Sequence, residues 1–509
     1  MAKGKLGTRG AIQHELVVAM LSVGIVAAPH TLSAQQGQST EQAAGLPLPQ
    51  HQDRPPESTA SSRPVRSQPS RDLPQRVEKL VSRDLVGVTP IPGRPSRGLE
   101  PIDSDAEGTA VSSILEKEPV GLLKFLPHQF REGGVEIECI YTGETFTKTR
   151  GGITPGRPTN YRSNLDLVGI VNTGKMGWWD GGRFFVYGQN LSGRPLSPGE
   201  VGDVQLFSNL DSTINETERP QFTTVAEYWY EHLLYDGDVR CKIGKQDANA
   251  DFALTDLGGD FVHSSFGFPP MIPFPTFPSQ ALGIATFFQL TETTVFAVGA
   301  YDGSLPSGPQ GVRWGFETLG RNGAILLYQL EWKPQFGANE DFPATVRAGI
   351  WHHTDPEVWV ELSDALNPRT LNQNYGLFIT ADQMLWKESE GTDDDQGLGI
   401  FGQFGWAPGD RNLIGEYYGG GLVYKGLLPN RDSDLVGVGF ANAMFGRGFQ
   451  LQSASQGNQL ARHETAVEAF YKLLISPAVS FQPDIQYIAN PGGQYRDALL
   501  PGMRFEVIF

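Results

Sequence analysis

From Gly133 to Phe509 the chain is built of short runs in which every second residue is apolar. The last fifty residues carry the pattern most cleanly. Val467, Ala469, Tyr471, Leu473 and Ile475 alternate with Glu464, Glu468 and Lys472. Phe481, Ile485 and Tyr487 alternate with Gln482, Asp484 and Gln486, and Met503, Phe505, Val507 and Phe509 with Arg504 and Glu506. A period of two places successive side chains on opposite faces of a strand. About sixteen such runs follow one another, separated by gaps that are alternately short and long, as at Leu191 to Pro220 and Gly258 to Gln280. The pattern predicts an all-β chain: an antiparallel transmembrane β-barrel of about 16 strands, closed by its N- and C-terminal strands, with short turns at one end and long loops at the other. A soluble sandwich with its apolar face inward would have the same periodicity. Run ends favour the membrane, because Tyr228, Tyr230, Tyr235, Trp332, Trp386, Trp406, Tyr417, Tyr418 and Tyr424 lie where an aromatic girdle belongs.

Composition narrows the choice. Sixty-one glycines and 10% aromatics suit a turn-rich β chain, and 39% hydrophobic residues are too few for a bundle of membrane helices. A formal charge of −17 speaks against a nucleic-acid partner, which demands a basic face. Lys3, Lys5 and Arg9, an apolar run from Leu16 to Ala28, and Ala34 before Gln35 mark residues 1–34 as a secretory signal peptide. The run is shorter than the roughly 20 residues of a spanning helix. Residues 35–120, rich in Pro, Ser, Gln and Arg, bury too little apolar surface to order and predict a disordered periplasmic tether. The barrel is assigned to 121–509, and the stretch Ser112 to Leu126 reads equally as a plug, a cap or a linker. Cys139 and Cys241 sit among apolar neighbours and read as small core-like side chains.

Candidate pore chemistry lies on the polar faces. Arg240, Lys242, Gln329, Glu331, Arg347, Trp351, Gln403 and Glu416 are predicted to face the lumen. The stretch Gly244 to Asp251 breaks the alternation and gathers Lys245, Asp247 and Asn249; it reads equally as solute-contacting or as a solvated loop. Phe266 to Gln280 is apolar and rich in proline, which donates no ladder hydrogen bond, so it is expected to fold inward or cover the mouth. His352 and His353 are adjacent on a strand and point apart, so no metal is expected there. Asp393, Asp394 and Asp395 suggest a solvated acidic loop or one bridged to lipopolysaccharide. No nucleophile-elbow, Walker or zinc-protease motif occurs, and neither catalytic residues nor a cofactor is expected.

Several segments carry a family likeness: IYTGETFTKTRGG from Ile140, GGRFFVYGQNLSG followed by Val201 to Asp211, and AEYWYEHLLYDGDVRCKIGKQDANADFA. To these are added IGEYYGGGLVYKGLLPNRDSDLVGVGFANAMF and, most specifically, EAFYKLLISPAVSFQPDIQYIANPGG. Together they resemble the carbohydrate-selective porins of the OprB family over roughly Leu122 to Phe509. The resemblance implies a sixteen-stranded barrel in a Gram-negative outer membrane that passes sugars, glucose among them, by diffusion. Its partners would be carbohydrates, outer-membrane lipid and lipopolysaccharide. The terminal Phe509 looks like the signal that outer-membrane assembly machinery recognises. The rival reading is a secreted soluble β-protein that binds or hydrolyses glycans.

Overall fold

The computed structural model describes residues 133–213, 221–304, 314–337, 342–354, 361–363, 369–371, 373–389 and 395–509. The expected signal peptide and tether lie outside the described residues, as does all but Asp395 of the acidic run at 393–395.

Eighteen strands form one antiparallel sheet, in chain order β1 (Val135–Thr147), β2 (Arg150–Gly152), β3 (Thr159–Asn172), β4 (Gly182–Gly193), β5 (Gln221–Leu234), β6 (Val239–Gln246), β7 (Ala281–Thr291), β8 (Thr294–Asp302) and β9 (Ala324–Trp332). They continue with β10 (Gln335–Phe336), β11 (Phe342–His353), β12 (Asn374–Lys387), β13 (Gly397–Trp406), β14 (Ile414–Lys425), β15 (Leu435–Phe445), β16 (His463–Ser476), β17 (Val479–Ala489) and β18 (Arg496–Ile508). Two of them, β2 and β10, are only three and two residues long, which leaves sixteen wall strands. The ring closes where β1 pairs with β18, from Ile140 opposite Ile508 to Phe146 opposite Gly502, and no wall strand is left as an edge.

One end of the ring, where both termini of the sheet lie, has tight turns: Pro477 and Ala478 join β16 to β17, and Glu292 and Thr293 join β7 to β8. The opposite end carries the long connections, residues 194–220, 247–280 and 303–323. The outward set of alternate residues is apolar and exposed, with Leu167, Val186, Ile243, Ile350 and Val438 typical, and forms the band that meets lipid. Aromatic rings mark its borders. Trp386 and Tyr424 lie 6.0 Å apart toward the tight-turn end, and Tyr375 and Trp406 lie 6.2 Å apart toward the loop end.

One expected girdle residue is misplaced. Tyr417 faces inward and is fully buried, while its neighbours Glu416 and Tyr418 face outward. The register of β14 is unbroken from Glu416 onward, so Glu416 shares the outward parity of Tyr418 and Leu422 and Tyr417 takes the inward one. The bulge between Ile414 and Glu416 changes only the face of Ile414. Glu416 lies opposite Trp406 and Met444 on the outer surface and does not line the lumen.

Candidate functional site

The barrel is not an empty tube. Two of the long connections turn into it, one through residues 196–211 and the other, far more apolar, through 247–280. Phe252, Phe261, Phe266, Phe268, Ile272, Phe274 and Phe277 of the second loop are all at most 1% exposed. They meet inward-facing aromatics of the wall: Phe261 lies 5.4 Å from Phe401 on β13 and 4.9 Å from Phe470 on β16, and Phe252 lies 5.9 Å from Phe287 on β7. The proline-rich segment therefore folds inward, as its composition predicted.

The wall makes room with glycine. A Cβ at Gly439 on β15 would stand 2.8 Å from the Phe266 ring, and one at Gly405 on β13 would stand 2.5 Å from the Met271 sulfur. Overpacking of this kind costs about 1–3 kcal/mol. Gly439→Val is expected to lift the loop off the wall, lower the unfolding midpoint in detergent, and leave an outward control such as Val438→Leu near the parent value.

A loop without secondary structure must find partners for its backbone, and here the wall's polar side chains supply them. Gln329 on β9 accepts from the amide of Ala253 (2.8 Å) and donates to the carbonyl of Asp251 (3.2 Å). Thr380 on β12 donates to the carbonyl of Leu254 (2.8 Å), and Asp382 accepts from the amide of Leu257 (2.9 Å). Tyr417 donates to the carbonyl of Ser265, and Gln403 to that of Phe266. Glu468 on β16 accepts from the amides of Val262 (2.6 Å) and His263 (2.9 Å). Higher on the same strand, Glu464 gathers the amides of Val204 (2.8 Å), Gln205 (2.9 Å) and Gly492 (2.6 Å), fastening the first loop.

Ion pairs add a second kind of fastening. Three acids of the 247–280 loop each meet a cation from a different part of the ring. Asp251 binds Arg240 (2.9 Å) and Lys242 (2.8 Å) on β6, Asp256 binds Arg347 (3.4 Å) on β11, and Asp260 binds Lys472 (2.9 Å) on β16. Burial pushes the Asp251 carboxyl up, but Lys242 and Arg240 outweigh it and hold the group at about 2. The first loop has its own buried network, in which Arg162 on β3 binds Asp211 and Glu144, and Glu144 also takes Arg504 of β18.

Toward the tight-turn end the lumen keeps charged groups beside aromatic faces. Glu231 bridges Arg183 and Arg240 at 2.9 Å each. Phe185 and Trp229 stack at 4.5 Å, with Lys242 4.4 Å from the Trp229 ring and Arg240 3.5 Å from that of Phe287. Cation, acid and ring together can hydrogen-bond a hydroxylated solute and offer an apolar face to a sugar ring.

Among the residues singled out in the sequence, Arg240, Lys242, Gln329, Glu331, Arg347, Trp351 and Gln403 all lie on the inner side. Several of the polar ones serve the inward loop: Arg347, for example, donates to the carbonyl of Leu254 (3.1 Å) while Glu331 holds it at 2.6 Å. Asp247 and Asn249 are not a solvated loop but buried, with Asp247 accepting from the amides of Asn249 (2.8 Å) and Phe277 (3.1 Å). Burial and the nearby Glu227 push the Asp247 carboxyl up to about 6. Lys245 belongs to neither loop nor lumen. β6 runs on through Gln246, and its parity turns Lys245 outward with Tyr228 and Leu282, where its amine donates to the carbonyl of Val225 (2.9 Å) beneath Trp314 and Gly315. His352 and His353 do point apart, the first to Gln373 (2.8 Å) and the second to the carbonyl of Gly303 (2.6 Å). Glu144, Arg162, Glu464 and Glu468 were missed as anchors. Their signal was visible as charges at alternate positions of otherwise apolar runs, a costly pattern unless each charge has a buried partner.

Known proteins frame this arrangement. The model of the family described as "Carbohydrate-selective porin, OprB family" matches residues 160–509. The chain is 22% identical over 408 residues to Porin B of Pseudomonas aeruginosa, covering 74% of this chain and 88% of that one. It is 21% identical over 418 residues to the putative porin QuiX of Acinetobacter baylyi, covering 75% and 90%. In fold it is similar to the high-pH structure of Pseudomonas putida OprB, with a TM-score of 0.65, 22% identity, and coverage of 75% of this chain and 96% of that one.

Proposed function

From the premise that the chain belongs to the OprB family of carbohydrate-selective porins, we propose that the fastened 247–280 loop sets the bore through which its sugars diffuse. The protein is a porin of the Gram-negative outer membrane, passing carbohydrates passively, and family membership makes it a channel rather than an enzyme. Glucose is the expected small solute. Arg183, Glu231, Arg240 and Lys242, with Trp229 and Phe287, form the entry from the tight-turn end.

The observation that carries this reading is the three-point fastening of Asp251, Asp256 and Asp260 to β6, β11 and β16. A loop tied to the ring at three well-separated strands narrows the lumen permanently, and conduction then depends on contacts weak enough to release what they bind. Residues 1–34 act as the export signal and 35–120 as a periplasmic tether. Lipopolysaccharide surrounds the loop end, and the assembly machinery reads the C-terminal strand.

In planar bilayers, single-channel current in potassium chloride should fall as glucose is added, with longer maltooligosaccharides reporting the size limit. Currents indifferent to every sugar would overturn the carbohydrate reading. A glycan-binding or hydrolytic soluble protein would instead be recovered without detergent, against the continuous apolar band on the outer face.

A further inference from the structure

On the β1–β3–β4 side of the lumen uncharged polar atoms are left over next to the inward loop. Thr142 on β1 lies opposite Asn164 on β3, and both side chains are inward and 1% exposed. A chain of hydrogen bonds leads away from them. Asn164 donates to a carboxylate oxygen of Asp166 (2.7 Å), Tyr187 donates to the same oxygen (2.5 Å) and to the amide oxygen of Gln189 (3.2 Å), and Gln189 donates to the carbonyl of Pro278 in the inward loop (3.4 Å). Two residues on, Gln280 is also 1% exposed. Thr142 Oγ1, Asn164 Oδ1, and both Oε1 and Nε2 of Gln280 have no hydrogen-bond partner among the described residues. Single atoms elsewhere on the wall, such as Gln403 Oε1 and Gln486 Oε1, share this state, but Gln280 has neither end of its amide engaged.

Resting on the reading of the chain as a sugar channel, we infer that Thr142, Asn164, Gln189 and Gln280 form a hydrogen-bonding subsite for a neutral, hydroxylated solute on the β1–β3–β4 side of the lumen. Buried polar groups are kept only where something satisfies them, and here the partner must come from outside the protein. Water fills that role between passages. A solute hydroxyl, which both donates and accepts, matches a set composed of a hydroxyl, a carbonyl oxygen and a primary amide. The set adds no charge of its own. The one carboxylate in the chain, Asp166, already accepts from Asn164 and Tyr187. Charged solutes would find their counter-charges instead at the entry, where Arg183 and Arg240 are engaged by Glu231.

The test measures glucose block of the full-length channel in planar bilayers, with each channel's current expressed as a fraction of its own sugar-free value. Asn164→Leu and Gln280→Met remove the amides at nearly constant volume. Each should raise the half-blocking glucose concentration by up to about tenfold, the worth of one good hydrogen bond. Heat-modifiable mobility on gels reports folding. Should Asn164→Leu fail to fold, Gln280→Met and the near-isosteric Thr142→Val carry the test together. A parent channel blocked by glucose, with folded variants blocked at the same concentration, overturns the subsite and leaves internal water as the only occupant. A parent channel that no sugar blocks fails the functional premise itself.

Discussion

Asp251→Ala should produce the largest change in conductance of any single substitution in the lumen. Among the described residues its carboxylate is the one ion-pair partner of Lys242 and one of two of Arg240, and its own side chain is 7% exposed. Removing one member of a buried charge cluster costs about 3–5 kcal/mol, because the cations stay behind uncompensated. The start of the loop should lift from β6, raising single-channel current severalfold, shifting it toward anions, and weakening glucose block. Asp256→Ala and Asp260→Ala should do less, since those acids are 38% and 25% exposed and their pairs partly screened, and Arg347 keeps Glu331 at 2.6 Å. Equal or smaller currents in Asp251→Ala would contradict the three-point fastening.

The same residue sets an acid limit. Held at about 2 against an unfolded value near 3.9, Asp251 stabilises the folded loop fully above about pH 4, and that contribution is lost as pH falls toward 2. Two other loop groups oppose each other at milder pH. Burial lowers His263 to about 3, so its contribution declines as pH falls below about 6.5. Burial and Glu227 raise Asp247 to about 6, so its contribution declines as pH rises from about 4 to 6. Conductance recorded against pH is therefore expected to be nearly level from about 6 down to 4 and to climb steeply below that.

Phe509→Asp should have the second large effect, on assembly rather than conduction. Phe509 continues the outward set of Met503, Phe505 and Val507, and its amide donates to the carbonyl of Cys139 on β1 (2.8 Å). The backbone bond survives the substitution, so the seam can still form, but a carboxylate then sits at the edge of the apolar band. Outer-membrane yield is expected to fall by about tenfold while refolding in detergent changes little, since detergent needs no signal from the chain end. Normal yield in cells would remove the role assigned to this residue.

These expectations rest on features of unequal visibility in the sequence. Alternation in β16, β17 and β18 revealed the barrel because a lipid-facing residue every second position leaves a regular trace. Parity also put Arg240, Lys242 and Arg347 inside correctly. At β14 polarity misled where parity would have served: Glu416 is charged yet shares the outward parity of Tyr418 and Leu422, and Tyr417 is aromatic yet faces inward. Lys245 was misplaced because the last residues of β6 look like loop but keep strand geometry. Which acid meets which cation was not legible at all. Asp260 and Lys472 are paired across 212 residues, and only the closed ring brings them together.

Apart from Arg240 and Lys242 on β6 and Gln189 on β4, most of the side chains that hold the 247–280 loop come from β9, β11, β12, β13, β14 and β16, all of them later in the chain than the loop itself. During folding β6 can hold only the start of the loop at Asp251, so most of the loop backbone stays hydrated until the far wall arrives. Contacts of such long range form late and slowly. Narrowing of the bore and sealing of the β1–β18 seam thus become a single cooperative event. A chain arrested before its last hairpin would be a leak, unsealed at its edge and unobstructed at its centre, and cells have reason to degrade it before it reaches the membrane.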